Sequence, residues 1–469
     1  MINIVWVSFV LILVYLVWIY KTKEYVPWQL PLSVILFFVP KINIVRVSEY
    51  SSTGIRIDDV IVLLLLISCL SIEVLKNKTI RTGFILLIIL SISCIISTVC
   101  GVISGYNNPI IYALLVIIRK FEYFSLIISG FYIGSKVQMK TVISHINMLN
   151  IGLMIVASLQ LIGLCGYAVS GNTSPGFFSG IAVSTFNGYY EYGAYLVFSL
   201  IMYSLMLLNN YEKTAFTWAL FSLTSIFIVL TKSRSSLLCG LFLIVLIFWK
   251  YGSNILKTKR FKMRFLSLTA ITLLFVLISM GLKNGNNRFA TINIVETVEY
   301  LINTFSKANF DEYREMILSG NEVHGIMTAI NATSDLSLSI RFFKWASVLN
   351  GFLKHPMFGY GFGVTYVIDG NYTRLLGETG LIGTTIWLGM LFYFLREARC
   401  RMKDSLFSEI SYYMIISLCI LSILIDMFDA SKIMEYMWYV IGLSVSVMVH
   451  APRNRSVNSF FDQVMKRLV

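Results

Sequence analysis

Two arginines and two carboxylates between residues 234 and 378 are of types that could act on a phosphorylated substrate. Arg234 lies in LTKSRSSLLCGLFLI, immediately before an apolar segment, and Arg341 lies in a later polar stretch. A guanidinium at a membrane interface carries a permanent charge and paired donors that suit phosphate oxygens. Asp369 and Glu378 are nine residues apart, and either could accept the proton of an attacking hydroxyl. Together these residues predict an anion-binding site with a general base.

Each of these residues also has a structural interpretation. Arg234 is equally consistent with a helix-end arginine that extends to the interface, and Arg341 with a solvated arginine on a helix. Glu378 is favoured as the buried partner of an arginine, because an unpaired carboxylate inside a membrane is costly. Arg374 could hold the charge of a carboxylate or bind substrate. Arg374 and Glu378 are therefore predicted substrate-binding residues with a structural alternative.

A glycine-rich turn follows Arg341 along the chain. The run HPMFGYGFG contains Gly359 and Gly361 after a helix-stopping proline. Glycine suits a tight turn, although backbone amides there could also approach a sugar or phosphate. The spacing does not match a dinucleotide-binding fingerprint. His355 is expected to order this turn rather than act as a base, and with Tyr366 and Asn371 it completes the predicted substrate-binding edge.

Ionisable residues also interrupt a predicted membrane span. Arg119, Lys120 and Glu122 lie in the otherwise apolar stretch 110–134, and intramembrane ionisable residues are functional candidates by default. Arg119 and Glu122 are spaced i,i+3, which equally favours a self-neutralising pair. Glu191, at the outer end of a later span, could face the same cavity. Arg119, Lys120 and Glu191 are therefore predicted substrate contacts.

The elements that position these residues are membrane helices. Hydrophobic residues make up 57% of the 469 residues and charged residues only 13%, which excludes a soluble domain. Since about 20 apolar residues span a bilayer, the predicted fold class is an all-α polytopic membrane protein with about 12–14 transmembrane helices. The first segment is interpreted as a span rather than a signal peptide. Thirteen spans are expected, near 2–20, 28–40, 58–75, 82–103, 110–134, 142–168, 188–209, 214–231, 235–250, 265–282, 376–395, 409–427 and 433–450.

Basic residues predict the orientation of these helices. The net charge of +14 accumulates in alternating loops, which the positive-inside rule makes cytoplasmic, so no nucleic-acid partner is expected. The opposite face, called the outer face below, then carries the turn 231–234 and a polar insert. The chain divides accordingly into an N-terminal bundle at 1–282, a periplasmic loop with a substrate-binding edge at 283–370, and C-terminal helices with a cytoplasmic tail at 371–469.

The polar insert is expected to contain short helices. FATINIVETVEYLINTF and FDEYREMIL have helical periodicity and are predicted to lie as amphipathic helices on the membrane. A third helix is predicted from Ser339 to Leu353, where a His-Pro pair stops it. The seven cysteines lie in or beside apolar spans without metal-ligand spacing, so neither a metal site nor a disulfide framework is expected.

A C-terminal motif combines an arginine, a following tryptophan, HP-x-x-G-x-G, a polar residue and N-x-x-x-L-L-x-E-x-G-L-x-G. Its members here are Arg341, Trp345, His355-Pro356, Gly359, Gly361, Asp369, Asn371, Leu375-Leu376, Glu378, Gly380 and Gly383. This pattern resembles the O-antigen polymerase/ligase superfamily, as does the SRSS turn at Arg234. The likeness in motifs is confined to about 231–240 and 339–385, whereas the topology covers most of the chain.

The resemblance implies the membrane fold of C-type glycosyltransferases and action on undecaprenyl-type, polyprenyl-diphosphate-linked glycans at the periplasmic face of the bacterial inner membrane. It implies neither a cofactor nor a metal nor a nucleotide sugar. Ligases of the superfamily move the glycan to lipid A core in lipopolysaccharide synthesis, and polymerases move it to the next lipid-linked repeat unit. Arg234 and Arg341 would bind the donor diphosphate and stabilise the leaving group's charge. Expected partners are the lipid-linked repeat units, membrane lipids and a chain-length regulator protein.

One departure from the ligase pattern separates the two activities. Ligases place a histidine, proposed as the base, immediately before the motif asparagine. By spacing back from Glu378 this chain has Asp369 there, with Gly370 intervening before Asn371. The missing histidine favours a polymerase, with Asp369, Arg341 and Arg234 as its catalytic residues. A flippase for lipid-linked oligosaccharides is the rival from another class, although it does not need an 88-residue outer insert. A non-catalytic scaffold is disfavoured by the polar residues clustered at one surface.

Overall fold

The computed structural model describes residues 2–22, 26–46, 54–106, 110–169, 172–174, 180–209, 211, 215–255, 308–318, 336–362, 364, 370–403 and 405–446. Within these residues the chain forms fifteen helices and two small antiparallel hairpins, which confirms the all-α class of a polytopic membrane protein. The hairpins pair β1 (Asn43–Arg46) with β2 (Gly54–Arg56) and β3 (Tyr167–Val169) with β4 (Asn172–Ser174).

The helices follow one another with short connections. The N-terminal set is α1 (Ile4–Thr22), α2 (Gln29–Phe38), α3 (Ile57–Cys69), α4 (Ile72–Lys76), α5 (Lys78–Ile103), α6 (Ile110–Lys136) and α7 (Met139–Leu161). The central set is α8 (Tyr189–Leu208), α9 (Ala215–Leu230) and α10 (Arg234–Ile255). The remaining helices are α11 (Phe310–Leu318), α12 (Leu336–Lys354), α13 (Asn371–Arg401), α14 (Leu406–Leu421) and α15 (Ser431–Ser446).

Twelve of the thirteen predicted spans coincide with described helices, and the span expected at 265–282 lies outside the described residues. Among the described helices, six are long and apolar enough to cross a membrane, namely α1, α5, α7, α8, α10 and α13. α6 has 27 residues and carries Arg119, Lys120 and Glu122, which are buried or half-buried against other helices. Ion pairs inside the bundle therefore explain how a charged helix occupies a membrane core.

Three predicted boundaries were wrong for local reasons. The span at 58–75 is two helices, because the chain turns after Cys69 and the Ser71 hydroxyl caps α4 by accepting from Val74 N–H. The span at 142–168 ends at Leu161, where Gly163 adopts φ +74° and the chain continues into β3. The span at 409–427 ends at Leu421, so the acidic residues that follow lie in a loop.

α15 is the central helix, and all its residues are buried. It crosses α6 with the two backbones almost in contact, because each helix presents glycine at the crossing. A Cβ added at Gly130 would overlap the Tyr439 carbonyl oxygen, and one at Gly442 would overlap the Ile127 carbonyl oxygen. Small residues allow this close packing in membrane bundles. The α6–α15 pair thus forms a fixed scaffold for the side chains that both helices carry.

Helices α11 and α12 pack against each other and against the turn that follows α12. Phe310 and Tyr313 of α11 are buried beside Phe343 of α12 and Tyr360 of the following turn. The predicted helices at FDEYREMIL and from Ser339 are therefore confirmed. The expectation that the first lies with its apolar face on the membrane is wrong, since that face packs on protein. The segment FATINIVETVEYLINTF lies outside the described residues.

Candidate functional site

A break in α13 forms the framework of the candidate site. Gly380 has φ +64° and ψ −166°, so the helix is kinked there. The turn after α12 docks onto the break through backbone hydrogen bonds in both directions. In one direction, the N–H groups of Tyr360 and Gly361 donate to the backbone carbonyls of Gly377 and Glu378 at 2.8 and 3.1 Å. In the other, the N–H groups of Leu381 and Ile382 donate to the backbone carbonyls of Pro356 and Met357 at 2.9 and 3.2 Å. Peptide groups freed by the kink are thus satisfied by the turn.

The glycines of HPMFGYGFG let the two segments approach closely. Gly359 has φ +71°, and a Cβ there would overlap the Gly377 carbonyl oxygen. The Gly359 amide donates to the His355 carbonyl at 2.8 Å, and the Gly361 amide is used in docking to α13. Both amides are occupied within the protein, so the geometry supports a tight turn and not an approach of these amides to a ligand. His355 contributes to the turn, with Nε2 3.4 Å from the Tyr106 hydroxyl.

A network of charges lies at the N-terminal end of α13. The buried Arg374 guanidinium contacts three carboxylates, with Nε 3.2 Å from Glu378 Oε2 and Nη1 2.5 Å from Asp426 Oδ2 and 3.0 Å from Asp429 Oδ2. Lys120 Nζ reaches Asp429 Oδ1 at 3.1 Å from α6. These five residues and Asn371 are called the Arg374 cluster below. The interpretation of Glu378 as the buried partner of an arginine is therefore confirmed.

Asn371 joins α13 to the loop between α14 and α15. Its backbone N–H donates to the Ser422 carbonyl at 2.9 Å, and its Oδ1 accepts from Phe428 N–H at 2.7 Å. The side-chain amide then donates to Asp426 Oδ1. Because Phe428 N–H fixes the carbonyl side of the amide, its NH₂ must face the carboxylate. The motif asparagine thus holds the acidic loop against the start of α13.

The two loop carboxylates differ in their surroundings. Burial raises the pKa of Asp426 to about 6, and the neighbouring Asp429 charge acts in the same direction while Arg374 opposes it. Burial also disfavours the charged form of Asp429, but Lys120 and Arg374 together lower its pKa. Two carboxylates whose surroundings move their pKa values apart suit different roles in proton transfer.

A second network begins at the neighbouring residue of α6. Arg119 Nη1 lies 3.5 Å from Asp59 and 3.9 Å from Glu122, so the predicted i,i+3 pair exists but is the longer contact. Arg56 pairs with Asp58 and Asp59, each at 3.2 Å. Glu435 of α15 interacts electrostatically with Arg56 and Asp58. We call these residues the Glu435 cluster, comprising Arg56, Asp58, Asp59, Arg119, Glu122 and Glu435.

Glu191 takes part in the scaffold around these clusters. Its Oε2 lies 2.8 Å from Lys41 Nζ, and both side chains are buried. Lys432 of α15 donates to the Phe37 carbonyl at 2.9 Å and to the carbonyl and hydroxyl oxygens of Thr185 at 3.0 and 2.8 Å. The lysine therefore ties the segment before α8 to α2 and α15. The Lys41 ion pair gives Glu191 a structural role, while its predicted substrate contact stays a prediction.

The two predicted diphosphate-binding arginines lie within the first two turns of their helices. Arg234 is the first residue of α10, after a turn in which Lys232 adopts φ +55°. Arg341 lies on α12, one helical turn before Trp345. A Cβ at Gly370 would meet the Trp345 indole nitrogen at 2.8 Å, so this tryptophan lies against the residue preceding Asn371. Both arginines are half-buried and interact within the protein.

Residues 219–388 match a family model described as O-antigen ligase. This match covers about a third of the chain and supports its likeness to the O-antigen polymerase/ligase superfamily. A search of curated proteins finds no match. The matched region extends from α9 to the middle of α13 and includes Arg234, Arg341, Arg374 and Glu378, whereas Lys120, Asp426 and Asp429 lie outside it. Members of this superfamily are glycosyltransferase-like membrane enzymes.

Sequence reasoning missed the two acidic residues that contact Arg374. Asp426 fell inside the predicted span 409–427, and Asp429 fell between two spans. The signal was present, because DMFDASK places three charges beside apolar segments, and the rule applied to Arg119 marks such charges as functional candidates. Two predicted residues, Tyr366 and Asp369, lie outside the described residues, and their roles stay predictions.

Proposed function

We propose that the protein is a polymerase of O-antigen or a related surface polysaccharide. It transfers a growing glycan from polyprenyl diphosphate to the next polyprenyl-diphosphate-linked repeat unit, at the periplasmic face of the bacterial inner membrane. The observation that carries this proposal is the family match over 219–388, because that region contains both outer arginines and the start of the Arg374 cluster. Positioned cations and carboxylates are what transfer from a diphosphate donor to a hydroxyl requires.

The chemistry assigned to each group follows from its charge. Arg234 and Arg341 bind the diphosphate, and they neutralise the charge that develops when the bond from the sugar C1 to the phosphate oxygen breaks. The acceptor hydroxyl attacks C1 and loses its proton to a carboxylate. The polyprenyl diphosphate leaves with the bonding electron pair. The reaction is a substitution at C1, so it needs no oxidant, reductant or second substrate beyond the acceptor.

Polymerase is preferred to ligase because the sequence has Asp369 where the ligase pattern has histidine. The description of the matching family favours the ligase as the second candidate. The two reactions share the donor and differ only in the acceptor, which is either another lipid-linked repeat unit or lipid A core. The same arginines and carboxylates serve either reaction.

Reconstitution into liposomes with purified lipid-diphosphate repeat units separates the candidates. Elongated lipid-linked glycan is the expected product, read as a ladder on a gel and as a mass increment of one repeat. Transfer only to added lipid A core would identify a ligase. Redistribution of the donor between leaflets without a new glycosidic bond would identify a flippase and contradict the proposed function.

A further inference from the structure

We propose that Asp426, on the loop between α14 and α15, is the group that accepts the proton of the acceptor hydroxyl. This inference rests on the proposed function and names a residue outside the region matched by the family model. The step is balanced: the acceptor O–H bond breaks and its proton moves to Asp426, the acceptor oxygen bonds to C1, and the C1–O bond to the diphosphate breaks. The proton then leaves to water before the next cycle.

Access is the first argument for Asp426. Its side chain is 29% exposed and that of Asp429 is 27% exposed, whereas Glu378, on the same guanidinium, is 1% exposed. Asp426 and Asp429 lie on a loop beyond the end of α14, and Glu378 lies inside α13. A general base must come within hydrogen-bond distance of the proton that it removes. Among the carboxylates on Arg374, only the two loop residues have that access.

The partners of the two loop carboxylates decide between them. Asp429 has a cation on each oxygen, Lys120 on Oδ1 and Arg374 on Oδ2. Asp426 has Arg374 on Oδ2 but the neutral amide of Asn371 on Oδ1. Opposite charges lower proton affinity, so the carboxylate with fewer cations is the better base. Asp429 therefore acts as a counter-ion, and Asp426 keeps the affinity that a base requires.

The groups that face Asp426 support this assignment. They are Arg374 and Glu378 of α13, Lys120 and Tyr112 of α6, and Asp429 of its own loop. The neighbouring carboxylates oppose ionisation of Asp426, and the two cations favour it. The result is a pKa of about 6, below a working pH near neutrality, so the group is ionised and still basic.

Asn371 is a positioning residue for this base. Phe428 N–H holds its amide oxygen at 2.7 Å, which directs the NH₂ group to Asp426 Oδ1. When Asp426 takes up a proton on Oδ1, its Oδ2 can keep the hydrogen bond from Arg374. Only the weaker, neutral hydrogen bond from Asn371 is then given up. Protonation therefore requires no movement of the loop, which stays anchored by the Asn371 backbone on Ser422.

The test compares Asp426→Asn with wild type in the liposome elongation assay. The amide keeps the size of the side chain and cannot accept the proton, so kcat should fall about 100- to 10,000-fold with little change in KM for the donor. Asp311→Asn is the matched control, because Asp311 is an outer carboxylate paired with a lysine at 2.7 Å, and it should keep wild-type turnover. Asp369→Asn tests the carboxylate favoured by the sequence in the same assay.

The pH profile separates a base from a structural carboxylate. A base must be deprotonated, so wild-type kcat should fall as the pH drops below about 6. Asp426→Glu should retain this acid limb at a shifted pH, and Asp426→Asn should lack it. Asp426→Asn that turns over within tenfold of wild type, with its acid limb intact, would overturn the proposal. Loss of the acid limb in Asp369→Asn alone would overturn it as well.

The same preparations show whether each variant is folded and whether the proposed function itself holds. Size-exclusion profiles and thermal unfolding establish that each variant is folded. If Asp426→Asn is not, the Asp426→Glu profile decides, because an acid limb at the wild-type position would exclude Asp426 as the base. Wild-type protein that forms no glycosidic bond with either acceptor would contradict the proposed function itself. Wild-type turnover together with an unaffected Asp426→Asn would contradict only the present inference.

Discussion

Two charged clusters lie side by side in this bundle, and they differ in access. The Arg374 cluster and the Glu435 cluster meet at α6, where Lys120 belongs to the first and Arg119 to the second. Asp426 and Asp429 keep 29% and 27% of their side chains exposed. Glu435 and Asp58, by contrast, are 0% exposed. The Glu435 cluster thus centres on two fully buried acids, although its Asp59 and Glu122 keep 21% and 12% of their side chains exposed. We therefore expect the loop carboxylates Asp426 and Asp429 to be the acids that meet a substrate.

The clusters also differ in how their acids are paired. Asp426 and Asp429 each accept a hydrogen bond from a cation. In the described part of the chain no hydrogen bond reaches either oxygen of Glu435 or of Asp58, although Arg56 Nε lies 3.2 Å from Asp58. Buried carboxylates without hydrogen bonds are costly, so the Glu435 cluster depends on Arg56 and Arg119 for its electrostatic balance. It is expected to contribute to the fold and not to the reaction.

Arg374→Ala should have the largest effect, because it removes the cation shared by three carboxylates. Leaving them unpaired should destabilise the protein by about 3–5 kcal/mol and reduce elongation about 1000-fold or more. Thermal unfolding in detergent and the liposome assay measure the two effects. Arg399→Ala, at the other end of α13 and exposed, is the matched control. An Arg374→Ala variant with wild-type turnover would exclude the Arg374 cluster from the site.

Arg234→Ala and Arg341→Ala should each abolish polymer formation without the loss of stability that is expected for Arg374→Ala. Removing one positioned cation from the diphosphate site is expected to lower kcat by about 100- to 1000-fold, because the developing charge loses its partner. Membrane abundance should equal that of wild type by immunoblot, and glycan ladders report the activity. Arg399→Ala serves as the control here too. Long chains from both variants would rule out the diphosphate-binding role.

Arg56→Ala tests whether the Glu435 cluster stabilises the fold without taking part in the reaction. Asp58 and Asp59 would lose their nearest cation, so the free energy of unfolding should fall by about 3–5 kcal/mol. Protein that remains folded should elongate glycan within tenfold of wild type, since this cluster does not meet substrate. The assay is run per mole of folded protein, determined by size exclusion. A loss of turnover as large as that of Arg374→Ala would mean that the two clusters act as one site.

Much of the fold could be predicted from hydropathy, because the length of each apolar segment shows directly whether it can form a membrane helix. Boundaries failed where single side chains end a helix, as at Ser71 and Gly163, since hydropathy averages over many residues. The kink at Gly380 was also missed, because it depends on a turn more than twenty residues earlier in the chain. Hydrogen bonds between two segments that are distant in sequence produce no local periodicity that could be recognised.

The candidate site was predictable only in part, for a related reason. The motif residues Arg374 and Glu378 are one helical turn apart, so their ion pair could be anticipated from spacing. Asp426 contacts Arg374 and Lys120 contacts Asp429, but these two residues are about fifty and two hundred and fifty positions from Arg374, and only packing brings them together. The acidic residues in the loop after α14 were visible in the sequence. That they face Arg374 depends on Asn371, whose hydrogen bonds hold this loop against the start of α13.

Gly442→Ala should disturb both clusters equally, because it acts on the scaffold that carries them. The added methyl would overlap the Ile127 carbonyl oxygen and push α6 away from α15, at a cost of about 1–3 kcal/mol. Arg119 and Lys120 would shift together, so stability and elongation should fall in parallel. Gly389→Ala is the control: its Cβ would meet nothing within 4 Å, and alanine in a helix should stabilise the protein by about 0.5–1 kcal/mol. Equal unfolding temperatures for the two variants would mean that the α6–α15 contact does not set the geometry of either cluster.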